Sequence, residues 1–548
     1  MTDRRPRLPG AIYSVLAAGL AVAVAVVSLS ATLTPPPTIA EFAPQAREVI
    51  EDAPEEQTSA FGSAEGGAER DVDATPIPGE RDVPAVDLPR TRRCVGDPPR
   101  QIEDPQSPPC VPFWEGDNGG ATANGVTGNE IRVFIPAGDY NGHVPQDVSE
   151  AMAAFFNRRF EFYGRKLSLL FPTEGDDGGE PEDQDAMAAH AISMGPFAAL
   201  GYANASARVY HTRMGQAGVV TTTGVLGNDE WSESEMATFA PSVWSYQMAA
   251  DRILVNLGEW TCKRLAGRDA VHGGDDVASA PRRFGVVIRP WSDQDEPLDT
   301  QPLEDELARC SAKIESEMVN PTDDAQGRLN TILQMQEQDV TSIFCLCNYF
   351  FWQQLMLTAS SQDYHPEWLS STLGLHDVNH NIKLPFAPGP DQTDHVFGIT
   401  VRPRQIRLED EPFWWAVSEG DRSADGSRYT EATAAWTGGD AYRIMLLVAS
   451  GIQMAGPTLT AETFEDGLRR TTFPNPDHPI RAGAVGFSGS HAMTIDAAEW
   501  WYSSAARSPY PGDTPGTICY VDGGTRHRRG AWPSGPGASF DGPCDTGA

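Results

Sequence analysis

Lysine is nearly missing from this chain. Only Lys166, Lys263, Lys313 and Lys383 carry it, and the 41 Lys and Arg residues face 76 acidic ones, a formal net charge of −35. Such a surface repels phosphate backbones, and no basic stripe interleaved with aromatics offers a groove, so nucleic acid is excluded as a partner. Cysteine is missing ahead of Cys94. No cysteine therefore stands directly after the apolar N-terminal run, which excludes a lipid-anchored lipoprotein. Catalytic signatures are missing as well. There is no H-E-x-x-H and no P-loop. Gly486-Phe-Ser-Gly-Ser490 ends in Ser where the nucleophile elbow needs Gly, and it lacks the strand–turn–helix context. No G-x-G-x-x-G follows the first strand, so a dinucleotide is not expected. The expectation is a protein with no cofactor and no catalytic residue, not an enzyme.

What is present begins with an apolar run, Ala11 to Leu33, preceded by Arg4, Arg5 and Arg7. A bilayer-spanning helix needs roughly 20 such residues, and arginines on the near side keep that end cytoplasmic. Everything after it is then expected outside the cell. The small residues Ser28 to Thr32 also suit a signal peptidase. An N-terminal anchor on the membrane and a secreted product after cleavage both remain open.

Residues 35 to 93 are rich in Pro, Glu, Ala and Gly, and read as a disordered linker. The eight cysteines, Cys94, Cys110, Cys262, Cys310, Cys345, Cys347, Cys519 and Cys544, form an even set in an exported chain and read as disulfides. Cys94 with Cys110 and Cys519 with Cys544 are the local pairs; the middle four are left unassigned. Cys345-Leu-Cys347 lacks zinc-ribbon spacing, and no metal is expected. His376 and His380 stand i, i+4, but in a loop-like stretch. Asp421 to Gly426 resembles the start of a calcium loop, yet Ala432 stands where a bidentate Glu is required.

From 125 onward the rhythm is α/β. A short apolar strand at 130–135 is followed by Asp147, a good N-cap, and a helix with Val148, Met152, Phe155, Phe156, Phe160 and Tyr163 at helical spacing. Gly164 closes it, and a second apolar strand occupies 166–171. Strand, helix and strand within about 40 residues make a βαβ unit, whose strands are parallel and covered by helices. Helices over 185–193, 205–214 and 246–265 alternate with strands at 197–201 and 218–223. A second start follows: strand 283–288, helix 303–318, strands 340–346 and 396–401, then helices 433–454 and 461–470. A Gly/Pro-rich tail begins near Ser508. This predicts two Rossmann-like lobes, about 125–270 and about 281–395, each completed by later crossovers, with a hinge and an interlobe cleft. The alternative is one large doubly wound domain with insertions.

The predicted strand ends carry Thr221-Thr-Thr-Gly224 on one lobe and Trp291, Asn348 and Tyr349 on the other. Hydroxyls facing aromatics and amides suit a small polar ligand held at strand carboxyl ends. Caps and hinge packing would use the same residues.

The opening Gly125-Val-Thr-Gly-Asn-Glu-Ile-Arg and the strand end Gly218-Val-Val-Thr-Thr-Thr-Gly resemble the type I periplasmic solute-binding proteins. These are the Leu/Ile/Val-binding receptors of ABC importers, and the Cys94 to Gly120 segment is similar to an actinobacterial branch. The resemblance runs from Cys94 onward and implies the same two-lobe fold. It also implies first-lobe polar contacts near Asn204, Ser206, Thr223 and Gly224, covering aromatics near Trp291 and Tyr349, and an acid near Asp377. Asn204 would replace a Ser and Trp291 a Tyr. The implied function is capture of a small polar solute, such as an amino acid or amide, for an ABC permease encoded elsewhere. A membrane-anchored sensory or scaffold ectodomain of the same fold is the rival, and an extracellular hydrolase using Ser488 is a third.

Overall fold

Ile131 and Val133 point into one apolar cluster and Phe134 into another on the opposite face, so the first strand of the domain is covered on both sides. That is the pattern of a parallel strand inside an α/β layer. The computed structural model describes residues 70–72, 92–96, 99–101, 103–136, 144–172, 181–201, 208–223, 231–290, 296–320, 322–383, 387–421, 438–475, 482–509, 515–537, 539–540 and 543–546. All of these belong to the unit Thr58–Ala548.

Three sheets are present among the described residues. A small antiparallel one joins β1 (Arg70–Val72), β2 (Arg92–Val95) and β3 (Arg100–Gln101). The first large sheet holds β4 (Glu130–Phe134), β5 (Lys166–Leu170), β6 (Ala198–Ala199), β7 (Val220–Thr223) and β8 (Val243–Ser245). Its order is β5-β4-β6-β7-β8, all parallel. The second holds β9 (Phe284–Arg289), β10 (Ile314–Val319), β11 (Ser342–Cys347), β12 (Glu367–Ser370) and β13 (Val396–Thr400) as a parallel set. The antiparallel strands β14 (Asp496–Arg507), β15 (Pro515–Tyr520) and β16 (Arg526–Arg528) complete it. The two large sheets are separate, so the one-sheet alternative does not hold.

The chain passes between the sheets three times. After β8 it enters the helix Ala250–Arg264, whose Ile253, Leu254 and Leu257 pack with Phe284 and Val286 of β9. After β13 it returns to the helix Pro412–Gly420, whose Phe413, Ala416 and Val417 join the first sheet's cluster. The helices Gly439–Ala455 and Ala461–Arg470 stay with that cluster, and residues 491–493 hydrogen-bond to Ser245 of β8 before the chain enters β14.

Several expectations need correction. The helix expected over 303–318 stops early: Gln301–Ala308 is helical, Ser311 takes φ 62°, and Ile314–Val319 is a strand. The Ile-Glu-Ser-Glu-Met-Val alternation has period two, which a helical reading ran over. Pro145, not Asp147, caps Gln146–Arg159, while Asp147 sits in the first turn where a carboxylate meets the helix dipole. The helix expected from Tyr246 starts at Ala250. The tail expected from about Ser508 also holds the strands β15 and β16. Disulfides join Cys94–Cys110, Cys262–Cys310, Cys345–Cys347 and Cys519–Cys544, which pairs the middle four. No helix among the described residues is long and apolar enough to cross a membrane; Ala11–Leu33 lies outside them.

Candidate functional site

In a parallel sheet the strand carboxyl ends lie along one edge, and there the chain turns into loops that present side chains and free amides. At that edge of the first sheet, Thr221, Thr222 and Thr223 are fully buried. Thr222 Oγ1 accepts from the Gly201 amide beyond β6 at 3.1 Å. Thr221 and Thr223 alternate onto the other face, and their Oγ1 atoms have no hydrogen-bond partner. A buried hydroxyl without a partner costs free energy, so two side by side on a strand mark a place where something polar belongs. Thr223 is paired in register with Ser245, the residue before Tyr246.

At the same edge of the second sheet, Asn348 caps the helix Tyr349–Ser360, its side chain accepting from the Phe351 amide at 2.9 Å. Tyr349 follows, and with Leu375 and Val378 it joins the first sheet's apolar cluster, which also contains Tyr246. Burial pushes its phenol up. After β12 the chain makes a tight turn at Gly374, φ 76°, where an added Cβ would lie 1.9 Å from the Cys347 carbonyl oxygen. Only glycine fits there, and the turn delivers His376 and Asp377 into the interior.

Asp377 is buried. Its Oδ2 accepts from Thr372 Oγ1 at 2.6 Å and Thr400 Oγ1 at 2.5 Å, while Oδ1 has no partner. Burial raises its carboxyl, opposed by the Arg402 charge and the two threonine hydroxyls. Arg402 Nη2 donates to Asp440 Oδ2 at 2.8 Å. Burial works against its charge, but Asp440, Tyr246 and Asp377 outweigh this and hold the guanidinium protonated. The Tyr246 phenol is pushed far up, first by burial and then by Asp440 beside it, and it accepts from Gln247 Nε2 at 2.7 Å. One buried polar chain therefore runs from Gln247 and Tyr246 at the end of β8, through Asp440 and Arg402, to Asp377, Thr372 and Thr400 at the ends of β12 and β13.

Of the residues expected in a site, the structure describes Thr223 at the end of β7, Tyr349 opening the helix after β11, and Asp377 in the loop beyond the turn that follows β12. Tyr349 shares an apolar cluster with Tyr246, Asp377 faces the Arg402 charge, and Thr223 pairs in backbone register with Ser245, the residue before Tyr246. Asn204, Ser206, Gly224 and Trp291 lie outside the described residues. Sequence reasoning missed Tyr246, Arg402 and Asp440. Arg402, two residues after a strand end and flanked by Thr400, is the one with a local signal. His380 does not join His376 in a ligand set; the described residues bring Cys345 and Cys347 to His376 instead.

No family model and no curated protein sequence matches the chain. Among solved structures, a fatty acid ABC transporter substrate-binding protein from Thermomonospora curvata superposes with a TM-score of 0.49 at 13% identity, covering 74% of this chain and 95% of that one. A solute-binding protein of an R. palustris ABC transporter, in complex with 4-hydroxybenzoate, gives 0.48 at 11% identity, over 68% of this chain and 93% of that one. An ABC transporter substrate-binding protein from Desulfitobacterium hafniense in complex with Leu gives 0.44 at 15% identity, over 73% and 99%. The neighbouring solved structures are consistently ABC transporter substrate-binding proteins.

Proposed function

We propose that this chain is an extracytoplasmic receptor that captures one small polar solute between the strand carboxyl ends of its two large sheets, without altering it. The two sheets act as lobes, and the three chain passes between them as the hinge. The observation that carries the reading is the set of buried polar atoms left without partners at those ends: Thr221 Oγ1, Thr223 Oγ1, Ser370 Oγ and Asp377 Oδ1. Hydroxyls can donate to a ligand carboxylate or carbonyl, and a carboxyl oxygen can receive an ammonium or amide N–H. An amino acid or amide presents that combination. The acidic surface and four disulfides suit the outside of a cell. An ABC permease encoded elsewhere would take the solute from the closed form, which the ligand favours by its differential contacts.

Calorimetric titration of the full chain with amino acids, their amides and short peptides tests this. A saturable heat at one site per chain is expected for at least one of them. Absence of heat from every member of the panel would leave the sensory or scaffold reading in its place.

A further inference from the structure

A second group of chemistry-bearing side chains lies beside this edge, and the proposed solute site does not use it. Cys345 and Cys347 are two residues apart on β11, so the pleat aims both at one face of the second sheet. His376 reaches the same place from the turn after β12, stacked on Trp352 with ring centroids 4.2 Å apart. The two sulfurs and an imidazole nitrogen lie within 4.8 Å of one another, and all three residues are buried. Neither ring nitrogen completes a hydrogen bond. A buried imidazole whose nitrogens are not taken up by hydrogen bonds, held within reach of two sulfurs, has the donor atom a metal needs.

The disulfide between these cysteines is otherwise unexplained. It spans a sequence separation of 2, against 16, 48 and 25 for the others, and it joins no two elements of the fold. Constraint of the unfolded chain grows with loop length, so this bridge stabilises the fold least of the four.

We propose that Cys345, Cys347 and His376 form a redox-gated site for one thiophilic d10 cation, Zn2+ or Cu+, closed while the disulfide is intact. A small dithiol reductant opens it. Two electrons and two protons pass to the sulfurs, the S–S bond breaks, and the reductant leaves as its own disulfide. The cation then displaces both thiol protons, which go to solvent, forming two metal–sulfur bonds and taking the lone pair of one His376 nitrogen. Two thiolates and an imidazole select soft and borderline cations over Ca2+ or Mg2+. Phe351, Trp352 and Ile343 in the surrounding apolar cluster keep water out.

The test uses the full chain, reduced with a dithiol, freed of it without oxygen, and titrated with Zn2+ or separately Cu+ against a chromophoric chelator. The Cys345→Ser/Cys347→Ser variant, treated identically, accounts for the other six cysteines. His376→Phe keeps a ring on Trp352 and removes only the nitrogen donors. The wild type should hold one cation per chain more than the double variant, in at least one of the two arms. His376→Phe should weaken that cation about tenfold or more, the scale seen when a metal site loses supporting groups. X-ray absorption of the Zn2+-loaded wild type should show sulfur at about 2.3 Å and nitrogen at about 2.0 Å; this reading stands even where a variant fails to fold. Equal cation counts in the wild type and the double variant in both arms, or a sulfur-only shell, would overturn the proposal. Neither result depends on solute binding.

Discussion

Arg402 Nη2 lies 2.8 Å from Asp440 Oδ2, and both side chains are buried. Arg402 leaves β13 of the second sheet, and Asp440 opens the helix Gly439–Ala455, which packs with the first. The pair therefore fastens the two sheets together at the edge where the solute is proposed to bind. Asp377 and Tyr246 flank it, so a charge that holds the fold also sets the field of the candidate site.

Removing one partner takes from the other its nearest buried counter-charge. Asp440→Ala should lower stability by about 3–5 kcal/mol, read as a fall in the urea midpoint at unchanged slope. Arg402→Met combined with Asp440→Leu should recover much of that loss. A single variant as stable as the wild type would show the pair to be incidental.

The threonine hydroxyls behave in the opposite way. Thr221→Val and Thr223→Val remove buried Oγ1 atoms that have no partner, so each should change stability by less than about 1 kcal/mol. Each should nonetheless weaken a bound solute by about tenfold, one hydrogen bond's worth at about 1.4 kcal/mol. Loss of stability with unchanged solute affinity would make them plain core residues.

Gly420 permits a close crossing of backbones. An added Cβ there would stand 1.8 Å from the Ala151 carbonyl oxygen, so the helices Gln146–Arg159 and Pro412–Gly420 would have to part. Gly420→Ala should cost about 1–3 kcal/mol or more, measured as a lowered Tm. An unchanged Tm would mean that the helices part freely.

Glu233 gives a pH signature. His491 Nδ1 and its backbone amide donate to Oε1 at 2.7 and 2.8 Å, and Ser490 Oγ donates to Oε2 at 3.0 Å. Burial raises this carboxyl, but those bonds and the Arg252 charge outweigh it and hold it below its usual 4.5. A carboxyl depressed on folding stabilises above its unfolded pKa, and the contribution is lost as pH falls through the folded value. The wild type should therefore exceed Glu233→Gln in Tm at pH 7, and the gap should close on acidification below 4.5. A gap independent of pH would assign the effect to packing alone.

The parallel core was legible because it is local. Val148, Met152, Phe155 and Phe156 show their face by spacing, and all are buried; Cys94–Cys110 and Cys519–Cys544 pair between near neighbours. What escaped depends on distant contacts. Ile314–Val319 is a strand because it lies against β9, and the helical pattern leading into it concealed the change of period. β15 and β16 form because β14 offers them an edge, which no Gly/Pro count reveals. His376 reads as a polar loop residue in sequence, yet Gly374 turns it inward onto Trp352. Arg402 and Asp440 are separated by many residues, so nothing local announces their pairing. Thr223 and Tyr349 stood out as polar and aromatic residues at predicted strand ends, Asp377 came only from resemblance to known receptors, and the burial of all three is a separate finding.

Native mass spectrometry of the purified full chain, before and after denaturation, tests solute capture most directly. The account predicts one small polar molecule per chain in the native state, released on unfolding and retained less by Thr223→Val. A chain that carries no such molecule, and gives no heat with any amino acid, amide or short peptide, would contradict it.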